Sequence, residues 1–65
     1  MLKNCTYDKV KLLHKLSSLL WFIENHAKVD AINADDVNFN ELLKNLSEDL
    51  ENSIVEIQKD LHSAC

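Results

Sequence analysis

The sequence contains no glycine, no proline and no arginine, and aromatic residues make up 6% of its 65 residues. Tight turns commonly use glycine or proline, and strands favour runs of Val, Ile, Thr and aromatic residues bounded by such turns. A sheet therefore has little support in this composition. The sequence predicts an all-α fold with few turns.

The missing arginine and glycine also limit the chemistry. Arginine is the usual bidentate ligand of phosphate groups and guanine, and proteins that bind the phosphate backbone usually carry an excess of positive charge. This chain instead has a net charge of −4, which argues against general nucleic-acid binding. Without glycine no phosphate-binding loop is available, and no serine has a strained turn or neighbouring base to activate it. We expect no enzymatic activity and no cofactor.

No stretch approaches the roughly 18 apolar residues of a membrane span, and the N-terminal segment has no apolar run of signal-peptide length. We therefore expect a cytoplasmic protein that does not bind membranes. Because cytoplasmic thiols are kept reduced, we also expect Cys5 and Cys65 to be free thiols.

The first half of the chain has apolar residues at steps of three and four, which is the pattern of an amphipathic helix. No helix-breaking residue interrupts this pattern. It predicts a first helix over residues 6–33, with Thr6 as its N-cap. Cys5 and Val10 on either side of Thr6 have the spacing of a hydrophobic staple.

A break in the pattern at residues 34–37 predicts a turn. After it, Asn38 and Glu41 have the spacing of a capping box, which predicts a second helix over residues 38–63. A connection of about four residues makes two helices antiparallel neighbours. The expected fold is one antiparallel helical hairpin that comprises residues 1–65.

The two halves of the chain differ in charge. Residues 1–34 contain five lysines and three acidic residues, whereas residues 35–65 contain two lysines and eight acidic residues. In an antiparallel hairpin the lysines of the first helix lie beside the acidic end of the second helix. The expected ion pairs involve Lys9, Lys11 and Lys15 on one side and Glu56 and Asp60 on the other.

The first helix has a broader apolar face than the second helix can cover, so we expect two copies to pack into a four-helix bundle. The predicted core consists of Leu13, Leu16, Leu20, Ile23, Ala27, Leu43, Leu46, Leu50, Ile54, Ile57 and Leu61. The predicted dimer interface consists of Val10, His14, Trp21, Phe22 and Ile32. Such a dimer fits a small interaction or regulatory module that binds itself and a protein partner.

Two alternatives have different chemistry. Small dimers of Rop-like architecture bind RNA through the exposed faces of their first helices, and a comparable ridge here contains Lys3, Val10, His14, Trp21 and Lys28. The second alternative is a thiol- or metal-responsive dimer, because the antiparallel register brings Cys5 to the same end as His62 and Cys65. Two thiolates and an imidazole are acceptable zinc ligands, but the spacing of these residues matches no zinc motif, so we assign no metal site.

Overall fold

Two helical arms joined by a short turn form an antiparallel hairpin. A computed structural model describes residues 4–61; residues 1–3 and 62–65 lie outside the described part. The first arm contains α1 (Asn4–Phe22), a π-helical turn (Ile23–Ala27) and α2 (Lys28–Asn33), and the second arm is α3 (Val37–Asp60). We call the π-helical turn the π-turn. The described residues contain helices and a turn but no strand, which confirms the all-α prediction.

Both predicted N-caps are wrong. Thr6 lies inside α1, which already includes Asn4. The N-cap of α3 is Asp36, whose carboxylate accepts a hydrogen bond from the backbone N–H of Phe39 at 3.0 Å. Asn38 is therefore an ordinary residue of the first helical turn. At its other end α3 stops at Asp60, three residues before the predicted end.

The geometry of the turn explains why the cap lies at Asp36. The backbone N–H of Asp36 donates to the carbonyl of Ala31 at 2.9 Å, and that of Asp35 donates to Ile32 at 3.0 Å. These two bonds form a Schellman motif, in which the residue after the helix adopts a left-handed conformation. Asp35 has a φ of 58°, a region that aspartate and asparagine enter more readily than most other residues. The motif ends the first arm and places Asp36 at the start of α3.

The second arm packs along a seam whose residues recur at alternating steps of three and four. These buried or half-buried residues are Asn40, Leu43, Ser47, Leu50, Ile54, Ile57 and Leu61. This spacing is the heptad pattern of coiled coils. Leu46 lies one position outside the seam and is 43% exposed, so its assignment to the core was wrong. Ser47 occupies the seam position instead and is 3% exposed.

The seam of the first arm follows the same spacing through the buried or half-buried residues Lys9, Leu13, Leu16, Leu20, Ile23 and Ala27, and the π-turn changes its next position. If the alternating steps continued along a regular α-helix, Asp30 would follow Ala27 in the seam. A π-turn places more residues in one turn, and the next residue to face α3 is Ala31, which is 3% exposed. Asp30 stays exposed. The buried hydrophobic core of the described residues consists of Ile23, Ala31, Leu43 and Leu50.

The hairpin measures 47 × 18 × 11 Å and has a radius of gyration of 14.8 Å, whereas a compact domain of this length would have about 11 Å. Its smallest dimension equals the diameter of one helix with its side chains, about 10–12 Å. The arms therefore expose both sides of the seam. Within residues 4–61 no helix combines the length and the apolar character needed to cross a bilayer.

Candidate functional site

One side of the seam is lined by large apolar side chains from both arms. We call this surface the apolar flank; its residues are Leu12, Leu19, Phe22, Phe39, Leu42 and Leu46. Their exposed fractions range from 43% to 64%. Each is therefore a large hydrophobic side chain that the hairpin leaves partly in water.

The heptad spacing and one ion pair show that these residues share a side. Residues seven apart lie on the same side of a heptad helix, so Leu46 and Asp60, two heptads apart, share one side of α3. The Lys9 ammonium lies 3.0 Å from the Asp60 carboxylate, and Lys9 is one turn before Leu12. The bridge therefore reaches from the seam of the first arm to the Leu46 side of the second. In an antiparallel heptad pair, the positions directly before the seam residues of both arms lie on one side of the seam, as Leu12 does before Leu13 and Leu46 before Ser47. The bridge also confirms the predicted ion pair between these two ends.

The opposite side of the seam is mostly polar. Heptad spacing assigns to this polar flank Val10, Ser17 and Glu24 from the first arm and Lys44, Glu51 and Gln58 from the second. Glu24 forms an ion pair with Lys28 at 3.0 Å. This ion pair and the nearby Ser47 hydroxyl hold the pKa of Glu24 below its ordinary value of 4.5.

Ser47 is the buried polar residue of the seam. Its hydroxyl oxygen has no hydrogen-bond partner of good geometry among the described residues, although it lies close enough to the Glu24 carboxylate to lower the pKa of that group. A buried hydroxyl without a full hydrogen bond destabilises a core. The small size of Ser47 therefore explains its place in the seam, because burial of its hydroxyl is not favourable in itself.

The π-turn gathers three rings at the edge of the apolar flank. We call Trp21, Phe22 and His26 the aromatic trio. The His26 ring stacks on Phe22 with centroids 5.6 Å apart and meets Trp21 edge-on at 5.3 Å. Trp21 and Phe22 remain 59% and 52% exposed. The result is an aromatic surface on the outside of the hairpin.

Two hydrogen bonds maintain this local geometry. The backbone N–H of Lys28 donates to the carbonyl of Ile23, five residues earlier, which is the bond of a π-helix. The side-chain amide of Asn25 donates to the backbone carbonyl of Trp21 at 2.9 Å. Such a side-chain bond occupies a carbonyl at the junction between α1 and the π-turn.

The five residues predicted as a dimer interface are all exposed and are distributed along almost the whole first arm. Trp21 and Phe22 meet through His26. Val10 and Ile32 lie 22 positions apart in the same arm, about 33 Å along a helix. Their role in a dimer stays a prediction.

Cys5 is disulfide-bonded, so the expectation of a free thiol at this position was wrong. A disulfide sulfur is not the thiolate that zinc binds, which removes Cys5 from the candidate ligands in this structure. The other two candidates, His62 and Cys65, lie outside the described residues. No group of three metal-binding side chains occurs within residues 4–61. Because disulfides are typical of oxidising compartments, the cytoplasmic location also stays a prediction.

The contribution of the second arm to the apolar flank was not predicted as an exposed surface, whereas the first arm was expected to have a broader apolar face than the second helix covers. The sequence does contain a signal for it, because the apolar stripe of the second arm includes Phe39, Leu42 and Leu46 and is wider than the seam positions of a heptad repeat. Comparisons of the chain with protein-family models, curated proteins and solved structures find no match.

Proposed function

We propose that the protein is a non-enzymatic interaction module that acts as a dimer of helical hairpins, packed through their apolar flanks into a four-helix bundle. The observation that carries this proposal is the apolar flank itself. It contains six large hydrophobic residues that are 43–64% exposed, while the buried hydrophobic residues within residues 4–61 are Ile23, Ala31, Leu43 and Leu50. Contiguous exposed apolar surfaces on small proteins commonly mark interaction sites.

A second copy of the chain is the occupant that fits this flank best. Both arms contribute to the flank, so it presents two ridges side by side, and a second hairpin presents the same two ridges. A chain of 65 residues folded as a single layer buries little apolar surface, and small domains of this kind commonly gain stability by association. Two-fold symmetric dimers are the commonest soluble assemblies.

The shape of the hairpin supports a role in binding rather than catalysis. Catalytic sites are usually concave and exclude water, whereas this hairpin is 11 Å across its smallest dimension. In the proposed dimer Trp21 lies outside the apolar flank and stays available. It therefore offers a contact site for a further protein, which is how a small assembly or regulatory module would use its free faces.

Analytical ultracentrifugation over a concentration series tests the proposal. The decisive variant is Leu46→Glu, with Val55→Glu as the matched control, because the two side chains are 43% and 47% exposed and Val55 lies outside the apolar flank. We expect the wild type and Val55→Glu to be dimers. Leu46→Glu should weaken association at least roughly tenfold, since it would bury a carboxylate, while circular dichroism stays helical.

Two results would contradict the proposal. One is a wild-type chain that stays monomeric at every concentration. The other is an equal effect of the two glutamate substitutions, which would show that association does not use the apolar flank.

A further inference from the structure

We infer that the second copy packs with its turn at the same end as the turn of the first copy, so that each first arm lies against the second arm of the other copy. This inference rests on the proposed dimer and adds its orientation. It follows from the position of the apolar residues along the flank and from the charges of the two arms.

The contacts between the arms give the register of the hairpin. Lys9 lies level with Asp60, with which it forms an ion pair. The Glu24 carboxylate lies level with the Ser47 hydroxyl. By this register Phe22 of the first arm lies about level with Leu46, and Leu42 and Phe39 lie nearer the turn.

The apolar flank is therefore uneven along its length. Its half near the turn contains five large apolar side chains, Leu19, Phe22, Phe39, Leu42 and Leu46, and one charged residue, Asp49. Among the described residues, its other half, towards the open end of the hairpin, contains one large apolar side chain, Leu12, and the charged residues Asp8, Lys15, Glu56 and Asp60. A good dimer must bring the apolar halves of the two copies together.

Two-fold symmetry allows two orientations of fully overlapping hairpins. If the turns lie at opposite ends, Phe39 and Leu42 of one copy face the charged open half of the other, which would bury Glu56 and Asp60 against apolar side chains. Buried carboxylates without partners are strongly unfavourable. If the turns lie at the same end, the apolar halves coincide and the charged halves stay together at the wetter end.

The charges of the arms favour the same orientation. Between Lys9 and Ile23 the first arm has three lysines and no acidic residue, whereas α3 has six acidic residues and two lysines. With the turns together, each first arm packs against the acidic second arm of the other copy. With the turns apart, the two acidic arms lie side by side, and like charges facing each other disfavour association.

One pair of residues makes this complementarity specific. Lys15 forms no ion pair among the described residues, although the sequence places it level with Glu56 of its own chain. Helical spacing puts both side chains on the outer rim of the apolar flank. When the turns lie together, Lys15 of one copy meets Glu56 of the second copy on this rim, and the symmetry repeats the contact.

A spin-label distance measurement tests the orientation. The label is attached at position 34 through p-acetylphenylalanine (Ala34→p-acetylphenylalanine), because Ala34 lies in the exposed turn and this chemistry leaves the disulfide at Cys5 intact. With the turns together we expect a distance between copies of about 10–20 Å, since packed helices lie about 8–10 Å apart. A distance close to the 47 Å length of the hairpin overturns the inference.

Sedimentation of the same labelled sample separates this outcome from failure of the proposed function. A dimer with a long distance overturns the orientation alone. A monomer overturns the dimer and the orientation together.

Charge reversal tests the rim contact. Lys15→Glu and Glu56→Lys should each weaken self-association roughly tenfold, and mixing the two variants should restore it, because both contacts then pair opposite charges. Lys11→Glu and Glu48→Lys are the matched controls, since they change the net charge equally at exposed positions outside the apolar flank. If mixing the two control variants increases association as much as mixing Lys15→Glu with Glu56→Lys does, the contact between Lys15 and Glu56 is overturned.

Discussion

The rings of Trp21 and His26 meet edge-on with centroids 5.3 Å apart, although the two residues are five positions apart in the sequence. In an α-helix two such residues point about 140° apart around the axis. The π-turn removes most of this difference, because it aligns each residue with the fifth one along the chain. The same turn moves Asp30 out of the seam and Ala31 into it, so one local feature shapes both the core and the aromatic surface.

The hydrogen bond from Asn25 to the Trp21 carbonyl is expected to stabilise this turn. Asn25→Ala should lower the free energy of unfolding by about 1 kcal/mol relative to Asn52→Ala. Asn52 is an exposed helical residue of α3, so both substitutions gain the same helix propensity. Urea unfolding of the two variants at one protein concentration measures the difference. Equal stabilities would show that the bond contributes nothing to the turn.

The N-cap of α3 provides a direct comparison between the observed and the predicted cap. Asp36→Ala removes the acceptor for the Phe39 N–H and should cost about 1 kcal/mol. Asn38→Ala changes an exposed residue inside the helix and should be neutral or slightly stabilising. Thermal unfolding followed by circular dichroism distinguishes them. A larger loss of stability for Asn38→Ala than for Asp36→Ala would mean that Asn38, and not Asp36, caps the helix.

The lowered pKa of Glu24 predicts that the stability of the folded protein depends on pH. Because this pKa is lowered first by Lys28 and then by Ser47, the ionised form stabilises the folded state above the ordinary value of 4.5, and this contribution is lost as the pH falls through the lowered value. Glu24→Gln should therefore be less stable than the wild type near neutral pH, and the difference should vanish in acid. Urea unfolding across this range, with Glu48→Gln as an exposed control, measures it. A difference that persists in strong acid would mean that packing, not charge, is responsible.

The disulfide at Cys5 should stabilise the open end of the hairpin, far from the turn. A disulfide typically contributes about 2–4 kcal/mol, mainly by restricting the unfolded chain. Reductant should therefore lower the unfolding midpoint of the wild type, and Cys5→Ser should show the same lower midpoint with or without reductant. An unchanged midpoint in the reduced wild type would show that the pairing of the arms alone maintains this end.

Much of the hairpin could be predicted residue by residue. The ion pair between Lys9 and Asp60 follows from opposite charges at the two ends of the chain, and Ile23, Leu43 and Leu50 were placed correctly in the core. Leu46 was misplaced because it belongs to the same apolar stripe as Leu43 when each helix is considered alone. The aromatic trio could not be predicted, since no residue type marks a π-turn in this chain.

The sequence by itself determined that the chain forms two helical arms, because it lacks glycine, proline and strand-like runs and repeats its apolar residues every three or four positions. It also determined the antiparallel pairing of the arms through the short connection at residues 34–37. Only the tertiary structure decided which residues face each other. Two helices pack through one narrow seam of 3.5-residue period, and fitting both arms to that seam selected Ser47 over Leu46 and Ala31 over Asp30. Leu46, which the seam did not select, became part of the apolar flank.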